Sequence, residues 1–271
     1  QKILFGKTNR ISLATLRDHG IISKNFVFDE MIRRSTLVLQ SGTPNFEYHR
    51  SDMSSNVHFI GPLLPVMSQK QEPYILNESK RYKRTILVTQ GTVEKDVNKI
   101  IVPVLEAYKG TDTRVLATTG GSGTEELRKK YPHDNLIIED FIPFGDVLPA
   151  CDVYITNGGY GGVMLGIQNR VPMIVAGVHE GKNEICARVG YFKLGVNLKT
   201  EKPSADQVIK AVDAVVSNGI YKKNITKLSR EFAQYDPCKL TENYMAGIFG
   251  EAVKEKSLSG LKGTTNLAAK Q

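Results

Sequence analysis

The sequence predicts an α/β fold in which a parallel β-sheet is flanked by helices. From about residue 84 onwards, short apolar runs alternate with stretches that have the apolar spacing of a helix. One unit of this rhythm is complete: an apolar run at 153–155, a glycine-rich turn, a helical stretch, and a second apolar run at 171–176. A strand, a helix and a strand in succession form a βαβ unit, whose two strands are parallel.

The composition is that of a globular protein. The 271 residues are 41% hydrophobic and 24% charged, and they allow one large or two modest domains. The formal net charge of +8 suits an anionic ligand. A nucleic-acid-binding protein would need a basic stripe interleaved with aromatic residues, which the sequence does not show, so we expect no nucleic-acid partner.

The sequence shows neither a membrane span nor a targeting segment. No apolar run approaches the roughly 20 residues of a spanning helix, and no signal-peptide pattern opens the chain. Cys151, Cys186 and Cys238 have no CxxC spacing. They favour reduced core thiols over a disulfide framework, and with them a cytoplasmic protein.

The first eighty residues predict helices, two short strands and a connection. Residues 1–35 predict one or two helices, and the apolar runs 36–40 and 57–60 predict strands. The stretch 67–83 is polar and contains Pro73, which fits a linker between domains.

The regular α/β rhythm begins with a buried strand at 85–89, which ends at Gln90-Gly91-Thr92. A helix is predicted over 96–108, a strand over 114–118, a turn at 120–123 that caps a helix from Thr124, and a strand over 135–138. We interpret the glycines of 120–123 as an ordinary turn, because they lack the third glycine of a dinucleotide fingerprint.

The last part of the rhythm predicts an edge strand at 195–198 and three helices. Ser204 is a candidate N-cap for the first of these, with an apolar face at Val208, Ile209, Val212 and Val215. The other two helices are expected at about 224–233 and 240–250. The polar stretch 251–271 is expected to fray.

A ligand site is predicted where the first strand of the βαβ unit ends. Four glycines, at 158, 159, 161 and 162, let the backbone approach a ligand closely, since no Cβ intervenes. The free N–H groups at the start of the following helix suit a phosphate. An ordinary tight turn would explain the glycines equally well. The polar stretch 178–184 after the next strand favours the ligand, because adjacent strand ends share one crevice.

These residues together resemble the donor-binding signature of the family 1 glycosyltransferases. The likeness rests on 157–163, Val171-Pro172, Glu180-Gly181-Lys182 and Ala187-Arg188-Val189, and it covers about residues 36–250. Members have the GT-B fold, in which two Rossmann-like domains face each other and the C-terminal one holds most of the sugar donor. The nearest likeness is to the bacterial natural-product and macrolide-type branch.

The resemblance implies a division of the chain and a set of donor-binding residues. Residues 1–66 would be the end of an N-terminal acceptor domain, 67–83 a linker, 84–250 the nucleotide-sugar donor domain, and 251–271 a polar tail. The glycine turn would cradle the diphosphate with help from Gly91 and Thr92. Phe141, followed by Pro143, falls where the family has a stacking aromatic residue. Glu180 and Lys182 fall near the family's sugar-binding pair. The implied donor-binding residues are Gly91, Thr92, Phe141, Pro143, Asn157, Gly158, Gly159, Tyr160, Gly161, Gly162, Val163, Glu180 and Lys182.

Some of these positions have plainer interpretations. Gly91 and Thr92 can be a simple strand-end turn, and Phe141 can be a core residue, which is the interpretation we prefer for Phe144. Three positions also depart from the family pattern: Asn157 stands for a phosphate-facing histidine, Gly181 for an acidic residue, and Leu165 for a ribose-binding glutamate. These departures bear on which sugar and which base are bound.

The resemblance implies an inverting transfer of a hexose from a UDP- or dTDP-sugar, the donor being substrate rather than cofactor, to a hydroxylated small molecule. The family's catalytic base is a histidine early in the N-terminal domain. None of the five histidines has that context, so no catalytic residue is assigned and the base is expected upstream of Gln1. His179 is the one histidine beside the expected cleft.

Two other functions stay open, and the sequence also gives expectations about metal binding, cofactors and oligomeric state. The chain could be a nucleotide-sugar-binding fragment that is inactive on its own, or a GT-B relative such as a UDP-sugar epimerase, which would need a carboxylate pair in the cleft. No Asp-x-Asp motif or His/Asp cluster suggests a metal site. We expect no other cofactor, and we expect an exposed interdomain face to favour a homodimer.

Overall fold

The computed structural model describes residues 5–64, 74 and 82–250. The predicted tail 251–271, and the predicted linker apart from residues 74, 82 and 83, lie outside the described residues. The chain divides into two compact units, one of Gln1–Pro44, Tyr48–Gly61 and Asp236–Gln271, the other of Asn45–Glu47 and Pro62–Tyr235. The prediction from sequence placed 236–250 with the donor domain, whereas this division groups that stretch with the N-terminal segments.

The larger unit is built on a parallel six-stranded sheet, which confirms the predicted fold class. The strands in chain order are β3 (Arg84–Thr89), β4 (Thr113–Thr118), β5 (Leu136–Glu139), β6 (Val153–Thr156), β7 (Met173–Val175) and β8 (Gly195–Asn197). In space their order is β5-β4-β3-β6-β7-β8, so β8 is the edge strand that the sequence predicts. The connecting helices are α3 (Ile101–Tyr108), α4 (Thr124–Lys130), α5 (Phe144–Val147), α6 (Tyr160–Gln168), α7 (Lys182–Tyr191), α8 (Ala205–Ser217) and α9 (Ile220–Phe232).

Alternate residues along the strands enter two separate cores, one on each face of the sheet. Ile86 and Val88 of β3 belong to the core that includes α3 and α8, whereas Leu87 belongs to the core that includes α6, α7 and α9. Successive side chains of a strand point to opposite faces, and helices cover both faces, so the strands read as continuous apolar runs.

Most predicted elements of this unit are confirmed, whereas α3 begins later than predicted and α5 and α7 were not predicted. The predicted helix 96–108 begins only at Ile101, because the Asp96 carboxylate accepts the backbone N–H of Asn98 at 3.1 Å, a local turn that competes with the helix. Helix α7 was not predicted, and the predicted polar cluster 178–184 overlaps only its first turn. The predicted N-cap of α8 is confirmed: the Ser204 hydroxyl accepts from Gln207 N at 3.2 Å, and the Gln207 side chain accepts from Ser204 N at 2.9 Å.

The smaller unit contains the two predicted N-terminal helices, α1 (Gly6–Asp18) and α2 (Val27–Arg34), and the last described helix, α10 (Pro237–Phe249). Its strands β1 (Val38–Ser41) and β2 (Val57–Gly61) form a parallel pair of their own. The rings of His58 on β2 and Tyr244 on α10 lie 4.6 Å apart. Hydrogen bonds from Asn25, Ser23 and Arg34 lower the pKa of Glu30 to about 2.

Among the described helices, none combines the length and the apolar content that crossing a membrane requires.

Candidate functional site

A cavity of about 490 Å³ opens at the carboxyl edge of the sheet, where β3 and β6 lie side by side. From β3 the chain moves outward to β4 and β5, and it then returns to β6 before it continues to β7 and β8. The order of the strands therefore reverses between β3 and β6. Loops that leave two such strands diverge and leave a crevice, which is where open α/β sheets bind ligands.

Ten of the thirteen residues predicted from the sequence line this cavity. They come from the loops after β3, β5, β6 and β7, which the chain separates by up to ninety residues. They are Gly91, Thr92, Phe141, Asn157, Gly159, Tyr160, Gly161, Gly162, Glu180 and Lys182. The parallel topology therefore brings together the segments that the sequence singled out.

The other three predicted residues lie outside the lining. Val163 faces the core and is fully buried. Gly158 is buried with φ at 76°, and a Cβ added to it would lie 2.2 Å from the Cys186 Sγ. Pro143 is the N-cap of α5. These residues shape the turns that carry the lining: only a glycine combines that φ with that close approach at position 158.

The glycine turn presents a bare helix start to the cavity. Gly159 is the N-cap of α6 in an extended conformation, and α6 begins at Tyr160. Apart from its chain neighbours and the backbone of its own helix, no described atom lies within 4 Å of the position that a Cβ of Gly161 would occupy, whereas a Cβ on Gly162 would lie 3.1 Å from the Tyr154 hydroxyl. The first N–H groups of a helix have no partner within the helix and attract anions. The open side of Gly161 is thus room for an anionic ligand group.

The Asn157 side chain ties the two central strand ends together. Its amide nitrogen donates to the backbone carbonyl of Gln90, and its Oδ1 accepts from Gly159 N at 3.2 Å. Asn157 therefore connects the loop after β3 to the turn before α6, and it fixes the geometry of the turn. Gly91, with φ at 81°, allows this approach, because a Cβ there would lie 2.9 Å from the Asn157 nitrogen.

Two charged side chains line the cavity, and they form an ion pair. The Lys182 Nζ lies 2.5 Å from the Glu180 Oε2. Glu180 has φ at 57° and precedes Gly181, whose φ is 80°. Lys182 begins α7, so its ammonium group and the N-terminus of α6 place positive potential on the same cavity.

Aromatic side chains also line the cavity. Phe141 follows β5 and is 73% exposed, so its ring is free to stack against a planar ligand. Phe144 also lines the cavity while its ring packs 6.2 Å from that of Tyr154, so it is both a core residue, as preferred, and a wall residue. Burial raises the pKa of Tyr154 to about 12, and the hydroxyl therefore stays protonated at neutral pH.

Residues 103–244, about half of the chain, match the family model described as erythromycin biosynthesis protein CIII-like, C-terminal domain. The chain belongs to this family. Family membership confirms the resemblance to family 1 glycosyltransferases of the macrolide-type branch, within which the matched region is the C-terminal domain.

Individual relatives and solved structures agree with this assignment. The chain is 33% identical over 239 residues to 4'-demethylrebeccamycin synthase of Lentzea aerocolonigenes, covering 84% of this chain and 56% of the relative. It is 34% identical over 207 residues to UDP-glucosyltransferase 1 of Beauveria bassiana (strain ARSEF 2860), covering 75% of this chain and 45% of the relative. The chain therefore spans about half the length of the curated relatives it matches.

The fold is shared with solved glycosyltransferases. The calicheamicin glycosyltransferase CalG4 superposes with a TM-score of 0.70 at 17% identity, over 88% of this chain and 59% of that chain. The glycotransferase of kitacinnamycin gives a TM-score of 0.69 at 19% identity, over 84% of this chain and 58% of that chain. The sheet unit is thus the parallel, helix-flanked domain of a GT-B fold.

Nine lining residues of this family member are absent from the predicted donor-binding set, although the resemblance already places Leu165 near the ribose. Most of them stand at or just after the carboxyl ends of β3, β4 and β6, a position that the parallel topology alone could have indicated. Gly120 belongs to the turn that was interpreted as ordinary. The nine are Thr89, Val93, Thr118, Gly120, Ile142, Phe144, Tyr154, Thr156 and Leu165.

Segment 45–47, which precedes the sheet along the chain, packs against two helices that bound the cavity. Phe46 is 1% exposed, and its ring lies 6.3 Å from that of Tyr160, the first residue of α6. Next to it, Glu47 forms an ion pair with Arg188 of α7, with the Oε2 and Nη1 atoms 2.8 Å apart. Segment 45–47 thereby fixes two of the helices that bound the site.

Acid and base groups are sparse around the cavity. All five histidines lie in the described residues, and none lines it. His179, expected beside the cleft, is exposed, and its Nε2 lies 3.7 Å from the Glu201 Oε2. Within residues 5–64, 74 and 82–250, no three His, Cys, Asp or Glu side chains come together as a metal site would require.

Proposed function

We propose that this chain holds the nucleotide-sugar donor of a glycosyltransferase, which transfers a hexose from a UDP- or dTDP-sugar to a hydroxylated small molecule. The observation that carries the proposal is the joint lining of one cavity by the bare start of α6, the exposed Phe141 ring and the Glu180–Lys182 pair. A nucleotide sugar has three matching parts: a diphosphate, a planar base and a sugar rich in hydroxyl groups. Relatives named UDP-glucosyltransferase support the same donor class.

The leaving diphosphate would lie over Gly161 at the start of α6. Negative charge grows on it as the glycosidic bond breaks, and preorganised N–H groups stabilise such charge without having to reorganise. Lys182 adds a positive charge at the same cavity. These groups can replace a metal ion in this role, so we propose that the donor binds without one.

Other residues that line the cavity would bind the base and the sugar of the donor. The base would stack on Phe141, and the Glu180 carboxylate would accept hydrogen bonds from sugar hydroxyls. Leu165 offers an apolar surface where a ribose hydroxyl would need a polar partner, and Asn157 already uses its amide within the turn. Discrimination between UDP and dTDP would then depend on the base and on Leu165.

The proposal gives this chain no catalytic base. No histidine is among the lining residues, and Glu180 is the one carboxylate among them. Deprotonation of the acceptor hydroxyl and its positioning each contribute heavily to the rate, the former on the order of a hundredfold or more. We therefore propose that both come from parts of the full protein that do not line this cavity.

A second candidate, a nucleotide-sugar-binding module that is inactive on its own, is favoured by the same shortage of acid and base groups. A UDP-sugar epimerase is disfavoured, because it would need a second carboxylate beside Glu180 in the cavity.

The buried thiols of Cys151 and Cys186 fit a protein that acts in the cytoplasm. Exposed apolar side chains on the smaller unit, such as Ile22 and Met31, fit association of two copies.

The experiment is an assay of UDP and dTDP release from several nucleotide sugars, with phenolic, macrolide and lipid acceptors. It is run on this chain and on a full-length protein that contains it. We expect transfer by the full-length protein and none by this chain alone. Turnover by the 271-residue chain would contradict the assignment of the base elsewhere. Binding of no nucleotide sugar by either protein would contradict the proposal as a whole.

A further inference from the structure

We propose that Glu201 is a positioning residue for the sugar end of the cavity, an assignment that rests on the proposed function. Glu201 itself is absent from the lining of the cavity, whereas Glu180 is part of it. Glu201 holds the backbone of the loop 178–181, which carries Glu180 into the cavity.

The contact is between a carboxylate and two consecutive backbone N–H groups. The Glu201 Oε1 accepts from Val178 N at 3.4 Å and from His179 N at 3.2 Å. These residues form the start of the loop that leads from β7 to α7, and Glu180 follows directly. Hydrogen bonds to a charged acceptor are stronger than those between neutral groups, so this carboxylate restrains the loop more than a neutral side chain would.

Lys99 fixes the Glu201 carboxylate in turn. Its Nζ lies 3.3 Å from the Glu201 Oε2 and 2.5 Å from the Glu94 Oε2. The side chains of Glu201, Lys99 and Glu94 are only 17%, 23% and 26% exposed. Burial on its own would raise the pKa of Glu201, but hydrogen bonds from Val178, Lys99 and His179 lower it, so the group is ionised at neutral pH.

Glu201, Lys99 and Glu94 together also reach a second loop that lines the cavity, the loop after β3. Glu94 belongs to the loop after β3, where its Oε1 accepts from Asp96 N at 2.9 Å. Thr92 and Val93 of that loop line the cavity. Lys99 therefore joins Glu94 of the loop after β3 to Glu201, whose carboxylate holds Val178 and His179, and so connects the two loops that line the cavity.

The loop has a specific reason to need support. Glu180 has φ at 57°, a left-handed conformation that a residue with a Cβ adopts only at a cost. Such a conformation persists where the surrounding structure imposes it. Its side chain is 67% exposed, so contacts of the carboxylate itself restrain it little beyond the ion pair with Lys182. The hydrogen bonds at Val178 and His179 supply the restraint from the preceding residues.

The test compares Glu201→Ala with Glu201→Gln, which keeps an oxygen for the two N–H groups. Asp206→Asn, an exposed carboxylate on α8, is the matched control. Hydrogen exchange is measured at the amides of 178–182 without ligand. Affinity is measured for UDP, UDP-glucose, dTDP and dTDP-glucose.

We expect exchange at 178 and 179 to be about tenfold faster or more in Glu201→Ala, intermediate in Glu201→Gln, which keeps the acceptor but loses the charge, and close to wild type in the control. The affinity for the nucleotide sugar, divided by that for its nucleotide, should fall about tenfold in Glu201→Ala and recover in part in Glu201→Gln. A merely structural role would instead weaken nucleotide and nucleotide sugar equally.

Unchanged exchange in Glu201→Ala overturns the proposal, whether or not wild type binds nucleotides. Equal weakening of nucleotide and nucleotide sugar overturns it as well. If wild type binds none of the four ligands, the proposed function fails and the role in sugar binding fails with it. The exchange data separate failure of the proposed function from failure of the Glu201 contact, because they report on the loop without any ligand.

Discussion

The side-chain amide of Asn157 donates a hydrogen bond to the backbone carbonyl of Gln90, and so links the ends of β6 and β3. This bond crosses the point where the order of the strands reverses, which is where the cavity opens. In the family pattern a histidine stands at position 157 and faces phosphate. In this chain the asparagine contacts protein instead, through Gln90 O and Gly159 N, so the proposed phosphate contacts fall to the glycine turn.

The Asn157 link can be tested by Asn157→Asp. The substitution puts a carboxylate oxygen against the Gln90 carbonyl, and two acceptors then face each other. An unsatisfied buried acceptor costs about 1–3 kcal/mol, so we expect the free energy of unfolding to fall by that amount and the nucleotide to bind more weakly. Urea unfolding and calorimetry measure the two effects. The control is Asn218→Asp, because Asn218 is exposed and only accepts, from Ile220 N at 3.1 Å. Equal effects at both positions would contradict a special role for Asn157.

The glycine turn predicts opposite outcomes at two nearby positions. In Gly161→Val the Cβ would enter open space in the cavity, so we expect nucleotide binding to be lost while the melting temperature stays near wild type. In Gly158→Ala the new Cβ would overlap the Cys186 Sγ at a left-handed φ, which costs about 1–2 kcal/mol or more, so the melting temperature should fall. Thermal unfolding and calorimetry distinguish the two. A stable Gly161→Val protein that binds nucleotide normally would exclude the space over Gly161 as the phosphate site.

Lys182 is the one cationic side chain that lines the cavity within residues 5–64, 74 and 82–250. Lys182→Met should weaken UDP or dTDP on the order of tenfold at low salt, and less at high salt, where screening already reduces the attraction. Lys210→Met, an exposed lysine of α8, is the control and should leave the affinity unchanged. Titrations at two ionic strengths measure both. An affinity that does not depend on Lys182 would mean that the helix N-terminus alone binds the diphosphate.

The thiols should differ sharply in reactivity. Burial raises the pKa of Cys151 to about 12 and that of Cys186 to about 11, whereas Cys238 is exposed. The thiolate is the reactive form, and a raised pKa keeps the buried thiols protonated at neutral pH. A thiol reagent should therefore modify one cysteine of the native protein and all three after unfolding, and Cys238→Ser should remove the native reaction. Rapid modification of Cys186 would show that the turn above it opens.

The sequence was sufficient to predict the strand ends that form the site, because each apolar run is followed directly by its polar or glycine-rich turn. Gly161 and Glu180 belong to such turns, and the parallel topology brings them together. The sequence did not allow us to predict whether a glycine of the turn packs against protein or faces the cavity. Gly158 and Gly161 look alike in sequence, yet one packs on Cys186 and the other faces open space.

The contacts that position the site could not be predicted either, because they join residues that lie far apart in the sequence. Glu201 lies 23 residues after Val178 along the chain, and only the pairing of β7 with β8 brings the two together. Phe46 is more than a hundred residues from Tyr160, and nothing local marks it as a support of α6. Helix α7 was missed because its mixed polar sequence has no clear apolar stripe, and its burial is limited to Cys186 and Val189.

Calorimetry of this chain with UDP and with dTDP, in the presence and absence of EDTA, tests the central claim most directly. We expect saturable binding of at least one nucleotide at a single site, with an affinity that EDTA leaves unchanged, because Glu180 is the one carboxylate among the described residues that line the cavity. No heat with either nucleotide at about 1 mM, the weak end of specific binding, would contradict the donor site.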